Sequence, residues 1–198
     1  KVRRAASDIA KTGLSLTAST WYHVYLYDNS GTPDVEIVTM APAAAYNGTA
    51  RSKTGDASRR YVGSALADAS GSFIQFLHAG NRVSNLCPMD SPPGRVLSNG
   101  SATSGTVVSL AGVVPVTATH AQMRAVSTGS VASRWSNKNL AGSVGATGGL
   151  NPYSIMSLSP GAQAVLDFPL ASDQSIVYWL VSAGSGLYCD VIGYVFGR

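Results

Sequence analysis

The run Trp21-Tyr22-His23-Val24-Tyr25-Leu26-Tyr27, followed by Asp28-Asn29-Ser30-Gly31-Thr32-Pro33 and then Asp34-Val35-Glu36-Ile37-Val38-Thr39, decides the fold class. Two stretches rich in aromatic and β-branched residues flank a cluster of turn formers, the pattern of a β-hairpin. Side chains alternate along a strand, so Trp21, His23, Tyr25 and Tyr27 share one face and Tyr22, Val24 and Leu26 the other. Both faces carry apolar bulk. Such a strand needs cover on both sides, from a second sheet on one and from other protein or a ligand on the other.

The rest of the composition agrees with that hairpin. In 198 residues only 12% are charged and 21 are glycine, which is neither a disordered nor a helix-rich mixture. Many short strands joined by tight turns give an all-β fold, expected as β-sandwich (jelly-roll-like) modules. The net charge of +4 comes from scattered Lys and Arg rather than a basic stripe, so no nucleic-acid partner is expected. No apolar run approaches the roughly 18 residues of a membrane span, so no membrane insertion is expected. The chain begins abruptly at Lys1 with no secretory apolar core, as a piece of a longer chain would. Cys87 and Cys189 are too few for a disulfide framework and read as two buried thiols. Asn47-Gly48-Thr49 and Asn99-Gly100-Ser101 fit the glycosylation pattern, but Asn-Gly reads better as a turn.

Along the chain, Arg59 to Leu66 reads as a strand and Phe73 to His78 as its hairpin partner across Asp68-Ala69-Ser70-Gly71-Ser72. Pro88, Pro92 and Pro93 mark an extended connector. The expected organisation is therefore an N-terminal β module over 1–86, a Pro-rich connector over 87–94 and a C-terminal β-sandwich module over 95–198. In the second module His120 to Val126 reads as a strand by its alternation, and Ala164 to Leu170 as a strand stopped or placed at an edge by Pro169. Residues 127–154 show the least pattern and read as a long irregular loop, glycine-rich from Ala141 to Gly149. Ser175 to Val181 and Leu187 to Phe196 read as a terminal hairpin.

Catalytic chemistry finds few residues to work with. Glu36 is the only glutamate, and most aspartates sit in turns where Asp is a structural choice. Asp167 and Asp190 lie in apolar strands, either as satisfied inward carboxylates or as outward residues. No G-x-S-x-G elbow is present, and His23, His78 and His120 lie in no ligand-like frame. No catalytic residue, metal or cofactor is expected. Sugar recognition uses aromatic faces with Arg, Asn, Asp or Lys beside them, which points to Tyr46, Arg51, Asp56, Trp135, Asn137, Lys138 and Tyr153 as candidate ligand-binding residues. Trp21, Tyr25 and Trp179 read as packing residues. For Trp135 and Tyr153, packing and ligand contact both remain open.

The run Thr20-Trp21-Tyr22-His23-Val24-Tyr25-Leu26, with Arg59-Arg60-Tyr61-Val62-Gly63-Ser64 and Asp68-Ala69-Ser70-Gly71 downstream, resembles a module that recurs in tailed-phage tail fibres and prophage tail proteins. In that family a TWYHV strand, a glycine turn followed by an Asp-Val pair, and an RRIGS…TDGSG segment occur at similar separations. The closing Ser182-Ala183-Gly184-Ser185-Gly186-Leu187-Tyr188-Cys189-Asp190-Val191-Ile192-Gly193-Tyr194 is similar to the glycine turn and last strand of those fibres. The sequence departs from the pattern at Ala57-Ser58 and at Val62, which replaces the usual Ile. Residues 85–165 match no family motif. The resemblance implies a trimeric, all-β receptor-binding or tip domain on a virion, synthesised in a host bacterial cytoplasm. Its implied partners are two further copies of itself, a host-surface glycan such as lipopolysaccharide or a protein receptor, and other tail proteins through the N-terminal side. A purely structural fibre or baseplate module is the alternative.

Overall fold

A computed structural model describes residues 8–86, 89–139 and 154–197. Among them there is no helix, and fourteen β-strands form several antiparallel sheets. The chain divides into two compact units, one ending at Ile74 and one running from Gln75 to Phe196. The connector expected at 87–94 is thus not the boundary. The hairpin of β5 (Phe76–Ala79) and β6 (Arg82–Asn85) belongs to the second unit because β6 pairs with its last strand, a partner more than a hundred residues away.

The first unit is a four-stranded sheet in the order β2-β1-β4-β3. Here β1 is Trp21–Asn29, β2 Thr32–Val38, β3 Ser52–Lys53 and β4 Asp56–Leu66. Asn29 pairs with Thr32, so the turn tightens from the six residues of the sequence pattern to Ser30-Gly31 alone. Both residues have positive φ, 51° and 97°, as a two-residue primed turn demands. The Asp28 carboxylate accepts the Gly31 N–H at 2.7 Å.

Register decides what this sheet buries. β1 pairs with β4 from Trp21↔Leu66 to Val24↔Gly63, then shifts so that Tyr25 faces Tyr61 and Val62 is the extra residue. A bulge of one residue restores three-apart positions to the same face. It therefore lets Tyr61 and Ser64 share the face of His23 and Tyr25, all four of them buried. Phe73 only bridges Ala67 at the far end of this unit. The hairpin expected between Arg59–Leu66 and Phe73–His78 does not form, since β5 takes β6 as its partner.

The second unit holds two sheets. One runs β12-β9-β14-β6-β5, with β7 also on β14; the other runs β11-β10-β13-β8. Their remaining strands are β7 (Arg95–Gly100), β8 (Thr106–Ser109), β9 (Ala118–Ser127), β10 (Ser133–Asn137), β11 (Met156–Leu158), β12 (Gln163–Pro169), β13 (Ser175–Leu180) and β14 (Leu187–Phe196). β14 is the organising strand: β9 lies along one edge, and β7 then β6 along the other. Ala121, Met123 and Ala125 of β9 pair with Tyr194, Val191 and Cys189 of β14, all of them buried. The terminal hairpin read from sequence is absent because β13 and β14 join different sheets. The 127–154 stretch is not wholly a loop either, since β10 lies within it with Trp135 fully buried. Pro169 ends β12, which pairs only with β9 and is an edge strand as expected.

Candidate functional site

The seven residues selected from sequence are divided between the two units, with Tyr46, Arg51 and Asp56 in the first and Trp135, Asn137 and Lys138 in the second. Tyr46 is exposed, and its hydroxyl accepts a hydrogen bond from Arg60 Nη1 at 3.1 Å. Arg51 donates Nη1 to the Ala43 carbonyl at 3.0 Å, and the Asp56 carboxylate accepts the Ser58 N–H and hydroxyl at 2.9 and 2.6 Å. These three belong to the first unit, and Arg51 and Asp56 are committed to local structure.

In the second unit Trp135 packs its ring 5.7 Å from that of Tyr178, its direct cross-strand partner, and donates Nε1 to Ser133 Oγ at 3.2 Å. It is a core residue with no surface for a ligand. Asn137 is buried, donating to the Pro169 carbonyl at 3.1 Å and accepting the Asn139 N–H at 2.8 Å. Lys138 pairs with Asp173 on the surface. Tyr153 lies outside the described residues, as do Cys87, Pro88 and the glycine-rich 141–149 stretch.

A different cluster has the geometry of a binding site. Arg124 and Val126 of β9, with Thr128 just past its end, alternate outward between the buried Ala125 and Ser127. Register sets Tyr188 of β14 beside Val126 and Asp190 beside Arg124, while Gln163 of β12 faces Val126 from the other edge. β7 brings Arg95 against Asp190. These residues, Asp190 apart, line an open cleft of about 390 Å³.

Asp190 is paired with two of the lining arginines. It has 0% exposure because two guanidinium groups roof it: Arg95 donates Nε at 2.8 Å and Nη2 at 3.2 Å, and Arg124 donates Nε at 3.0 Å and Nη2 at 2.5 Å. Burial pushes the carboxyl toward its neutral form, but the hydrogen bonds from Arg95 and then Arg124 outweigh it and hold the group below the usual carboxylate range. The pair in turn raises Arg95, whose guanidinium carbon sits 5.1 Å from the centre of the Tyr188 ring.

The cleft thus offers an aromatic face, a hydroxyl, an amide and two oriented cations. Sequence reasoning missed it because Arg95 and Asp190 meet across 95 residues of chain. One signal was present: Tyr188, Asp190 and Arg124 fall on the polar phase of otherwise apolar alternating strands, so they share a face if the strands pair.

The first unit also has a polar centre, but a closed one. His23 Nδ1 lies 2.7 Å from Ser64 Oγ, which lies 2.8 Å from the Tyr61 hydroxyl, and the His23 side chain is only 4% exposed. Burial lowers His23 from 6.5 to about 4, so the ring is neutral at pH 7. His23 and Ser64 are both buried residues of the first unit. Cys189 is buried under the cleft-bearing sheet, and burial then the Asp190 charge push its thiol up, so it stays protonated. Among the described residues no group of His, Cys, Asp and Glu could hold a metal.

Comparison with protein-family models, with curated proteins and with solved structures finds no match to this chain.

Proposed function

We propose that this chain is the receptor-binding or tip module of a tailed-phage fibre, which holds a host-surface glycan such as lipopolysaccharide without catalysing any reaction on it. The observation that carries the reading is the open cleft on the outer face of β9, β14 and β12, with Tyr188 to lie against sugar C–H surfaces and Thr128, Gln163 and two arginines to bond hydroxyls or acidic groups. A depolymerase needs two carboxylates with separated pKa values. The carboxylate at this cleft is clamped by two arginines and has no exposed surface.

In the same reading the modules are jelly-roll-like sandwiches assembled as a homotrimer, in the virion, attached to other tail proteins on the N-terminal side. The half-exposed apolar residues Val24, Val35 and Ile37 with the exposed Leu26 on one face of β1 and β2 support assembly, since a neighbouring copy would cover them. Several copies on a virion would turn weak single-site binding into firm attachment.

The test is adsorption. Purified protein should bind cells that the phage infects and protect them from infection, and its mass in solution should be that of a trimer. A purely structural fibre or baseplate module is the second reading, favoured by the first unit, whose Arg51 and Asp56 are spent on internal hydrogen bonds. That reading predicts neither adsorption nor protection. Release of reducing ends from host polysaccharide would overturn both.

A further inference from the structure

We infer that the Arg95–Arg124–Tyr188 cleft selects a saccharide bearing an oxyanion, a carboxylate or a phosphate, over a neutral one. The inference rests on the glycan reading above and adds a ligand class to it.

The argument starts from how the two guanidinium groups are held. Each turns its Nε–Nη2 edge toward Asp190. A guanidinium is a rigid planar fork, so fixing one edge fixes the direction of the other. What remains toward the cleft is the Nη1 group and the outer hydrogen of Nη2 on each arginine. These are pre-oriented donors, and the rotamer entropy that a free surface arginine loses on binding is already lost here.

Charge points the same way. Two cations meet one buried carboxylate, which leaves an excess positive charge on the rim. Arg95 also feels the Asp90 carboxylate, so the uncompensated field lies toward Arg124. The Arg124 side chain is the more exposed of the two, at 38% against 27%. An anion placed against Arg124 would have Tyr188 and Val126 beside it for the apolar face of a sugar ring, and the Thr128 oxygen and Gln163 amide within the same cleft for its hydroxyls. A bare inorganic ion would leave that apolar and amide lining unused.

The experiment titrates the full chain with glucuronic acid, glucose 6-phosphate, glucose and inorganic phosphate, reading amide shifts of Thr128, Gln163 and Tyr188 by NMR. The two acidic sugars should perturb these amides and bind at least about tenfold tighter than glucose, because charge-assisted hydrogen bonds are about twice as strong as neutral ones. Which acid binds better separates a carboxylate source from a phosphate source. Raising the salt should weaken both.

Arg124→Gln should remove the preference while Arg95 still neutralises Asp190, with the thermal midpoint reporting the fold; Arg124→Lys should keep part of it. Equal binding of glucose and the acids at these amides would overturn the acid selectivity and leave the glycan reading standing. Equal binding of inorganic phosphate and glucose 6-phosphate would overturn the saccharide part. Should no sugar perturb these amides while the protein still adsorbs to cells, the cleft assignment falls and adsorption belongs elsewhere. The wild-type comparison decides these points even if a variant does not fold.

Discussion

The two units solve one problem in opposite ways. Each has a central strand that carries an ionisable residue out of solvent, His23 on β1 and Asp190 on β14, and each meets its partner across the sheet rather than along the chain. The first unit keeps its group neutral, gives it a hydroxyl partner and buries it. The second keeps its group charged and covers it with two cations that themselves reach water. A neutral centre can close over completely. A charged one is cheapest when its counter-ions stay at the surface, and that requirement leaves an open, cationic cleft above it. In the second unit the buried charge and the open cleft are therefore parts of one feature.

The largest effect should come from removing the buried charge. Asp190→Ala leaves Arg95 and Arg124 side by side without their counter-ion, and breaking a buried pair typically costs about 3–5 kcal/mol. Partial exposure of both arginines sets the expectation at the lower end, about 3 kcal/mol. Urea unfolding followed through Trp135 and Trp179 emission measures it. A loss under about 1 kcal/mol would mean that the arginine roof contributes little to the second unit.

Acid separates the units next. His23 has a depressed folded pKa, so the unfolded chain takes up a proton first: its contribution is fully present above pH 6.5 and is lost as pH falls through about 4. A shift of that size corresponds to about 3 kcal/mol at most. Asp190 is also depressed, but from the carboxylate range, so its contribution is full above about pH 4 and is lost as pH falls from there through its lowered folded value. Hydrogen exchange at pH 4.5 should therefore quicken in β1 and β4 while β9 and β14 remain protected. His23→Leu should flatten the first response; an unchanged pH profile in that variant would remove His23 as its cause.

How much of this was legible in the sequence depends on how far apart the partners lie. The strands of β1, β2, β4, β9 and β14 could be read locally, because aromatic and β-branched residues alternate there and Ser30-Gly31 sits between two such runs. The division at Ile74 could not, because prolines at 88, 92 and 93 look like a linker, whereas the hairpin before them is claimed by a strand at the other end of the unit. Trp135 stayed open between packing and ligand contact for a related reason. Ser133-Arg134-Trp135-Ser136-Asn137 has weak strand propensity and becomes a strand only between β11 and β13, where each partner supplies its ladder. The cleft needed four strands in register before its residues met. Charged residues inside apolar alternation were the only local trace of it.

Within the first unit, Tyr61→Phe tests whether the bulge at Val62 serves the buried network. The hydroxyl of Tyr61 reaches Ser64 only because the bulge puts both on one face. Its loss should cost about 1 kcal/mol, the net worth of one buried hydrogen bond, and leave the pH response of His23 in place because Ser64 still faces the ring. A cost near zero would make the bulge a packing device alone.

The smallest expected effect is also the cleanest way to move one unit without the other. Ser30 and Gly31 both hold left-handed backbone, which suits glycine and asparagine better than serine. Ser30→Asn should therefore stabilise the hairpin by about 0.5 kcal/mol, with no new contact needed. Gly31→Ala is the control. A Cβ there would meet nothing within 4 Å, so any loss comes from the backbone angle and not from a clash, and about 1 kcal/mol is expected. Amide exchange should slow in β1 and β2 for the first variant, quicken for the second, and leave Arg124 and Asp190 as they were. If Ser30→Asn has no effect while Gly31→Ala is costly, the strain at this turn is carried by Gly31 alone, and the hairpin that organises the first unit owes its register to its aromatic faces rather than to its turn.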